Sequence, residues 1–293
     1  MEKKRRIGVF AIISPFLVYY AVSLVVEIIA SLIIMIPEIQ KGGVINVEET
    51  TAAVMKVFMS HLTLITSVVA LCVIPLFWLM YRKDTKYEKE IGIAERERVP
   101  ILKYAVIIGL GITACIGLNN LLVLGNVAAY SGTYEETTAA LYKENFLIQL
   151  IGLGLVVPIA EEFMFRGIIY KRLSFIMKRE KAMLFSALMF GLYHGNLVQA
   201  IYGFVLGYLA VYIYEKYGSL KASILFHTVI NLTSVIGTEC GMYTWIFGNV
   251  IRVGIVTVIC GAAASSFFVL MQKLFKKEAK TDTPKTFPNF FMI

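Results

Sequence analysis

Three short patterns in the second half of this 293-residue chain combine side chains that can do acid–base chemistry. "EEFMFR" holds Glu161, Glu162 and Arg166, "FGLYHG" sets Phe190 and His194 four residues apart, and "HTVIN" does the same for His227 and Asn231. Two of the chain's three histidines lie in these patterns. All three are embedded in apolar sequence of the kind that crosses a bilayer. A charged residue at the centre of a membrane helix costs about 2.5–3.5 kcal/mol on the insertion scale. Such groups persist where they pair, line a wet cavity or carry out a reaction.

Helical spacing divides the first pattern. Glu162 and Arg166 are i, i+4 and can form an ion pair on one helix face. Glu161 is turned about 100° away and cannot share that arginine equally. One carboxylate therefore has a structural explanation and the other has none. An unpaired carboxylate in a low-dielectric site is suited to general-base work. His227 and Asn231 also share a face and can converge on one point. If the patterns meet, Glu161 can take a proton from water, His194 can hold that water, and His227 and Asn231 can donate hydrogen bonds to a developing oxyanion. That set would hydrolyse an amide bond. Glu161, His194 and His227 could equally hold zinc with an open position for water. The residues alone leave both mechanisms standing. No HExxH occurs, since the histidines are followed by Leu62, Gly195 and Thr228, and no GxSxG accompanies them.

The elements that must position these residues are membrane helices. The chain is 58% hydrophobic and 16% charged, with a mean hydropathy of +0.74, which excludes an ordinary soluble domain. Apolar runs of bilayer length give eight candidate spans, at about 7–36, 55–81, 101–125, 146–170, 183–195, 197–214, 220–238 and 247–272. The expected fold is all-α, with about eight transmembrane helices around a cavity that faces the cytoplasm. The net charge of +8 does not point to nucleic acid, because most of the basic residues fall on alternate connections. Arg82, Lys83, Lys86, Lys89, Lys171, Arg172, Lys178, Arg179, Lys181, Lys216, Lys221 and Lys273 share one side with the basic first residues and the basic tail. The opposite side has Lys41, Lys56, Lys143 and Arg252. By the positive-inside rule both termini are cytoplasmic.

The chain divides into 1–145, with three spans and a cytoplasmic loop at 82–100 expected to form a surface helix; a core at 146–236; and 237–293, with the last span and a basic tail. The run 183–195 is short for a span and is expected to form a hairpin with 197–214, where Gly203 and Gly207 let a neighbour approach closely. Four scattered cysteines give no disulfide framework. His61, alone in the second span, is expected to be structural. Phe290 stands where a prenylation box would need cysteine, so the chain is not expected to be prenylated itself.

The three patterns, in order and spacing, resemble the motifs of the CPBP family (CAAX proteases and bacteriocin-processing enzymes), over about 146–236. The resemblance implies an intramembrane endopeptidase acting near the cytoplasmic face. In it Glu161 activates water with His194, and His227 and Asn231 stabilise the oxyanion. It is compatible with a glutamic protease or a zinc metalloprotease, and its expected partners are membrane lipid and a peptide or protein substrate. Some members of the family are linked to bacteriocin immunity, so a non-catalytic immunity or partner-binding protein is the alternative. A proton-coupled transporter using the Glu–His cluster is a further one.

Overall fold

The computed structural model describes residues 8–40, 47–93 and 99–276, and every element among them is helical. The chain begins with α1 (Val9–Gln40), α2 (Val47–Ser60) and α3 (Leu62–Glu90), the last with Pro75 in its interior. A tight turn at Ile101–Tyr104 leads into α4 (Ala105–Leu124), which is followed by the short α5 (Tyr134–Leu141). The next long rod, Phe146–Ser174, is built from α6 (Phe146–Ile151), α7 (Val157–Glu162) and α8 (Lys171–Ser174), joined by π-helical turns at Gly152–Val156 and Phe163–Tyr170. Then come α9 (Arg179–Tyr193), α10 (Leu197–Tyr217), α11 (Leu220–Glu239), the short α12 (Met242–Phe247) and α13 (Val250–Lys276).

Seven of these helices are long and apolar enough to cross a membrane: Val9–Ile36, Leu62–Glu90, Ile101–Leu124, Phe146–Ser174, Leu197–Tyr217, Leu220–Glu239 and Val250–Phe275. The protein is an all-α, multi-pass membrane protein. The eighth expected span is α9, whose 15 residues rise only about 22 Å and fall short of a bilayer core. It folds back on α10 as the expected hairpin. Gly195, at φ +75°, makes the left-handed turn, and Asn196 caps α10 by accepting from the Gln199 amide at 2.9 Å. The expected surface helix at 82–100 is, over 82–90, the end of α3 itself; residues 94–98 lie outside the described residues. The basic first residues and the tail beyond Lys276 also lie outside them.

Close helix contacts rest on missing side chains. A Cβ on Gly191 would sit 2.5 Å from the Ala200 carbonyl oxygen, and one on Gly203 3.2 Å from the Gly191 Cα. One buried cluster joins α1, α3, α9 and the 146–174 rod through Val73, Phe77, Phe165 and Ile168; a second joins α4, α10, α11 and α13 through Ile107, Leu110, Ile213 and Phe226. The functional patterns lie between the two.

The two ends of the bundle differ. The basic helix ends are tied together at one of them. Arg172 Nε meets Asp84 at 2.6 Å, Lys171 Nζ meets Glu88 at 2.6 Å and Thr85 at 2.8 Å, Arg179 meets Glu215 at 3.1 Å, and the Tyr217 hydroxyl donates to the Lys103 carbonyl at 2.7 Å. Lys171 and Arg172 are thus buried in ion pairs rather than exposed in a loop. The opposite end carries α5 and α12, with His61 Nδ1 2.8 Å from Glu144 and the Tyr142 hydroxyl 3.0 Å from Ser234. His61 is therefore paired in the structural role expected of it.

Replacing Gly191 with alanine forces a methyl group into backbone atoms of α10. It should destabilise the protein by about 1–3 kcal/mol, read as a lowered unfolding midpoint in detergent. Gly132→Ala, where a Cβ meets nothing within 4 Å, should leave the midpoint unchanged.

Candidate active site

All seven motif residues, Phe190 among them, line one cavity of about 1180 Å³. The 146–174 rod supplies Glu161, Glu162 and Arg166; the α9 C-terminus supplies His194; and α11 supplies His227 and Asn231. The spacing argument for the ion pair holds. Arg166 Nη1 donates to Glu162 Oε1 at 2.7 Å, and both residues are fully buried. Arg166 is satisfied further by the Gly207 carbonyl, 2.7 Å from Nη2, and by the Phe190 ring, whose centroid is 4.5 Å from Cζ. A Cβ on Gly207 would lie 2.8 Å from Phe190 and 3.2 Å from Arg166, so the glycine makes room for this arrangement.

Glu162 has a second role that the spacing did not reveal. Its Oε1 lies 3.0 Å from His227 Nδ1. A carboxylate ionised against arginine can only accept, so Nδ1 carries the proton. This orients the ring and turns Nε2 toward Glu161, 3.6 Å from Oε2. His194 is set in the same way, because its Nδ1 lies 2.9 Å from the Phe190 carbonyl, another acceptor. In both neutral imidazoles Nε2 is then a lone-pair site. The edges of both rings stand against Phe190, with centroids 5.0 and 5.5 Å away.

Asn231 is held by a gap in the rod's own hydrogen bonding. In a π-helical turn the Leu153 carbonyl would be met by the amide of residue 158, but Pro158 has no N–H. Asn231 Nδ2 donates to that carbonyl at 2.8 Å instead. One amide hydrogen of Asn231 is thereby used, and a second remains for the cavity.

Residues with no warning in the motifs complete the site. From α1, Tyr19 and Ser23 line the cavity, and the Tyr19 ring stands edge-on to Tyr193 at 5.3 Å. No spacing rule in the first span distinguishes Tyr19 from its apolar neighbours. Glu27, Tyr134, Thr138, Tyr142, Gln199, Tyr202 and Tyr243 continue the wall. Burial pushes the Tyr142 and Tyr243 phenols up from their ordinary value, so both stay protonated as neutral hydrogen-bonding groups.

Nε2 of both rings is the nitrogen that a metal ion would use, with Nδ1 held by the Phe190 carbonyl and by Glu162. Among the described residues no three His, Cys, Asp or Glu side chains converge closely enough to hold one.

The cavity runs toward one end of the bundle. Its lining runs from the site to Asn126, Thr138, Thr238 and Phe247, at the end of the bundle opposite the basic helix ends.

Comparison with known proteins finds one family match. Residues 143–233 match the family described as type II CAAX prenyl endopeptidase Rce1-like. This stretch is accordingly a CAAX-protease domain of the CPBP family, and it supports a CAAX-type intramembrane protease. No curated protein and no solved structure matches the chain.

The buried pair sets a clear stability test. Glu162→Gln or Arg166→Met leaves an uncompensated buried charge and should cost about 3–5 kcal/mol. The double variant should recover part of that loss, measured as unfolding midpoints of all four proteins in one detergent.

Proposed function

We propose that the chain is an intramembrane endopeptidase in which Glu161, without a metal, activates the attacking water. The observation that carries this reading is the division of the two glutamates. Glu162 is committed to Arg166 and His227, and Glu161 remains on the cavity wall beside His227 Nε2. Water held between Glu161 and His194 Nε2 loses a proton to Glu161 as its oxygen attacks the peptide carbonyl. The tetrahedral oxyanion is met by the second Asn231 hydrogen, and by His227 Nε2 when that nitrogen is protonated. Collapse breaks the C–N bond, and the proton on Glu161 passes to the departing amine.

The substrate is a peptide or protein segment admitted from the membrane or its surface. The reading as a non-catalytic immunity or partner-binding protein predicts that Glu161 is dispensable. A proton-coupled transporter requires a route to the basic end, which the Lys171–Glu88 and Arg172–Asp84 pairs and the buried Tyr170, Leu173 and Tyr217 fill.

Glu161→Gln should lower peptide hydrolysis by about 10²–10⁴-fold while leaving the unfolding midpoint near that of the parent protein. Activity of the parent should persist in a strong zinc chelator. Full hydrolysis by Glu161→Gln would remove Glu161 from the mechanism, and loss in chelator restored by zinc would require a metal.

A further inference from the structure

The cavity of this site is asymmetric along the membrane normal, and the asymmetry bears on the substrate. On the 146–174 rod, the lining residues Leu153, Val157 and Glu161 run back toward Phe146. On α11 they run from Phe226 through Asn231 and Ser234 to Thr238, toward its C-terminus. On α10 they begin at Val198 and stop at Ala210, and on α4 they begin at Asn119 and continue to Asn126 beyond its end. Eight of the lining residues are exposed, and Glu27, Asn126, Ala139, Thr238 and Phe247 among them mark the mouth. Every one of these helix directions leads away from Lys83, Lys103, Lys171, Lys216 and Lys221.

The basic end is closed by the paired Lys171 and Arg172 and by Tyr170, Val211 and Tyr217, all buried. The mouth end has few cations among the described residues, Lys56, Lys143 and Arg252. Cationic helix ends stay on the cytoplasmic side of a membrane. Fixing the basic end there places the mouth on the other side. We infer that the catalytic cavity is entered from the non-cytoplasmic side of the membrane, and that the substrate is a peptide segment presented there. This rests on the reading of the site as a peptidase.

The wall between mouth and site suits such a guest. Apart from Arg166, which is neutralised by Glu162, the lining carries no lysine or arginine. Its polar groups are hydroxyls, amides and the Glu27 carboxylate, so backbone amides of an extended peptide find partners along the route without a cationic barrier. A volume of about 1180 Å³ exceeds the roughly 300–1,000 Å³ typical of small-molecule sites and leaves room for several residues of chain.

Thiol labelling tests the sidedness independently of catalysis. In a background with the exposed Cys72 and Cys240 replaced, single cysteines are placed at the mouth (Ala139→Cys), inside the cavity (Ser234→Cys) and at the basic end (Lys83→Cys). A membrane-impermeant maleimide is applied to intact cells and to inverted vesicles. Ala139→Cys and Ser234→Cys should react in cells, and Lys83→Cys only in inverted vesicles. Reaction of Ala139→Cys in inverted vesicles alone, or of Ala139→Cys and Lys83→Cys from one side, would overturn the inference. Failure of Ser234→Cys to react from either side while Ala139→Cys reacts would overturn the open route. Peptide hydrolysis by Glu161→Gln in detergent is scored separately. Retained hydrolysis there defeats the peptidase reading while the labelling result stands by itself.

Discussion

The buried Glu162 carboxylate is the group on which the site depends. Two charges taken out of water cost several kcal/mol each, so Glu162 and Arg166 are tolerable only if nearly every direction around them is satisfied. Arg166 meets that demand with Glu162, the Gly207 carbonyl and the Phe190 ring. Glu162 meets it at one oxygen, Oε1, which faces both Arg166 and His227, while Oε2 and the Arg166 Nε are buried without a hydrogen-bond partner among the described residues. These contacts join the 146–174 rod to α9, α10 and α11. A change in any of the three would expose a mismatch in the others. Neutralising Glu162 is also what sets Glu161 apart, since no second cation stands beside it.

Much of this was legible in the sequence because it follows from helical periodicity. The i, i+4 spacing of Glu162 and Arg166 specified their pairing, and Gly203 and Gly207 marked the close α9–α10 approach. The spans at 101–125, 197–214 and 220–238 fall within a few residues of the observed helices. Contacts between helices were harder. The link from Glu162 to His227 joins residues 65 apart in sequence, and no local rule selects it. The contact between Leu153 and Asn231 is intelligible only once Pro158 is seen directly after a π-helical turn. The short α9 shows the limit of counting apolar residues, because a hairpin buried among other helices is as apolar as a true span.

The direction of the cavity is likewise a matter of packing between helices. A cluster near the middle of a membrane can open either way. The direction is decided by which half of each helix carries small and polar side chains toward the interior. Ser234, Thr238, Tyr142 and Tyr202 do so at one end, whereas Tyr170, Val211 and Tyr217 fill the other. The same division keeps the Glu162–Arg166 pair dry at the floor and lets water reach Glu161 above it. That is the environment a general base requires.

Nitrogen-15 NMR of protein labelled at histidine tests the central claim most directly, because three histidines give a readable spectrum and substitution of each assigns its signals. Glu162 holding His227, and the Phe190 carbonyl holding His194, require Nδ1 of both rings to be protonated. In the neutral rings Nε2 must then be the bare nitrogen. Substitution of Glu162 by glutamine should disturb the His227 pattern and spare that of His194. A neutral His227 with its proton on Nε2 and a bare Nδ1 would contradict the account.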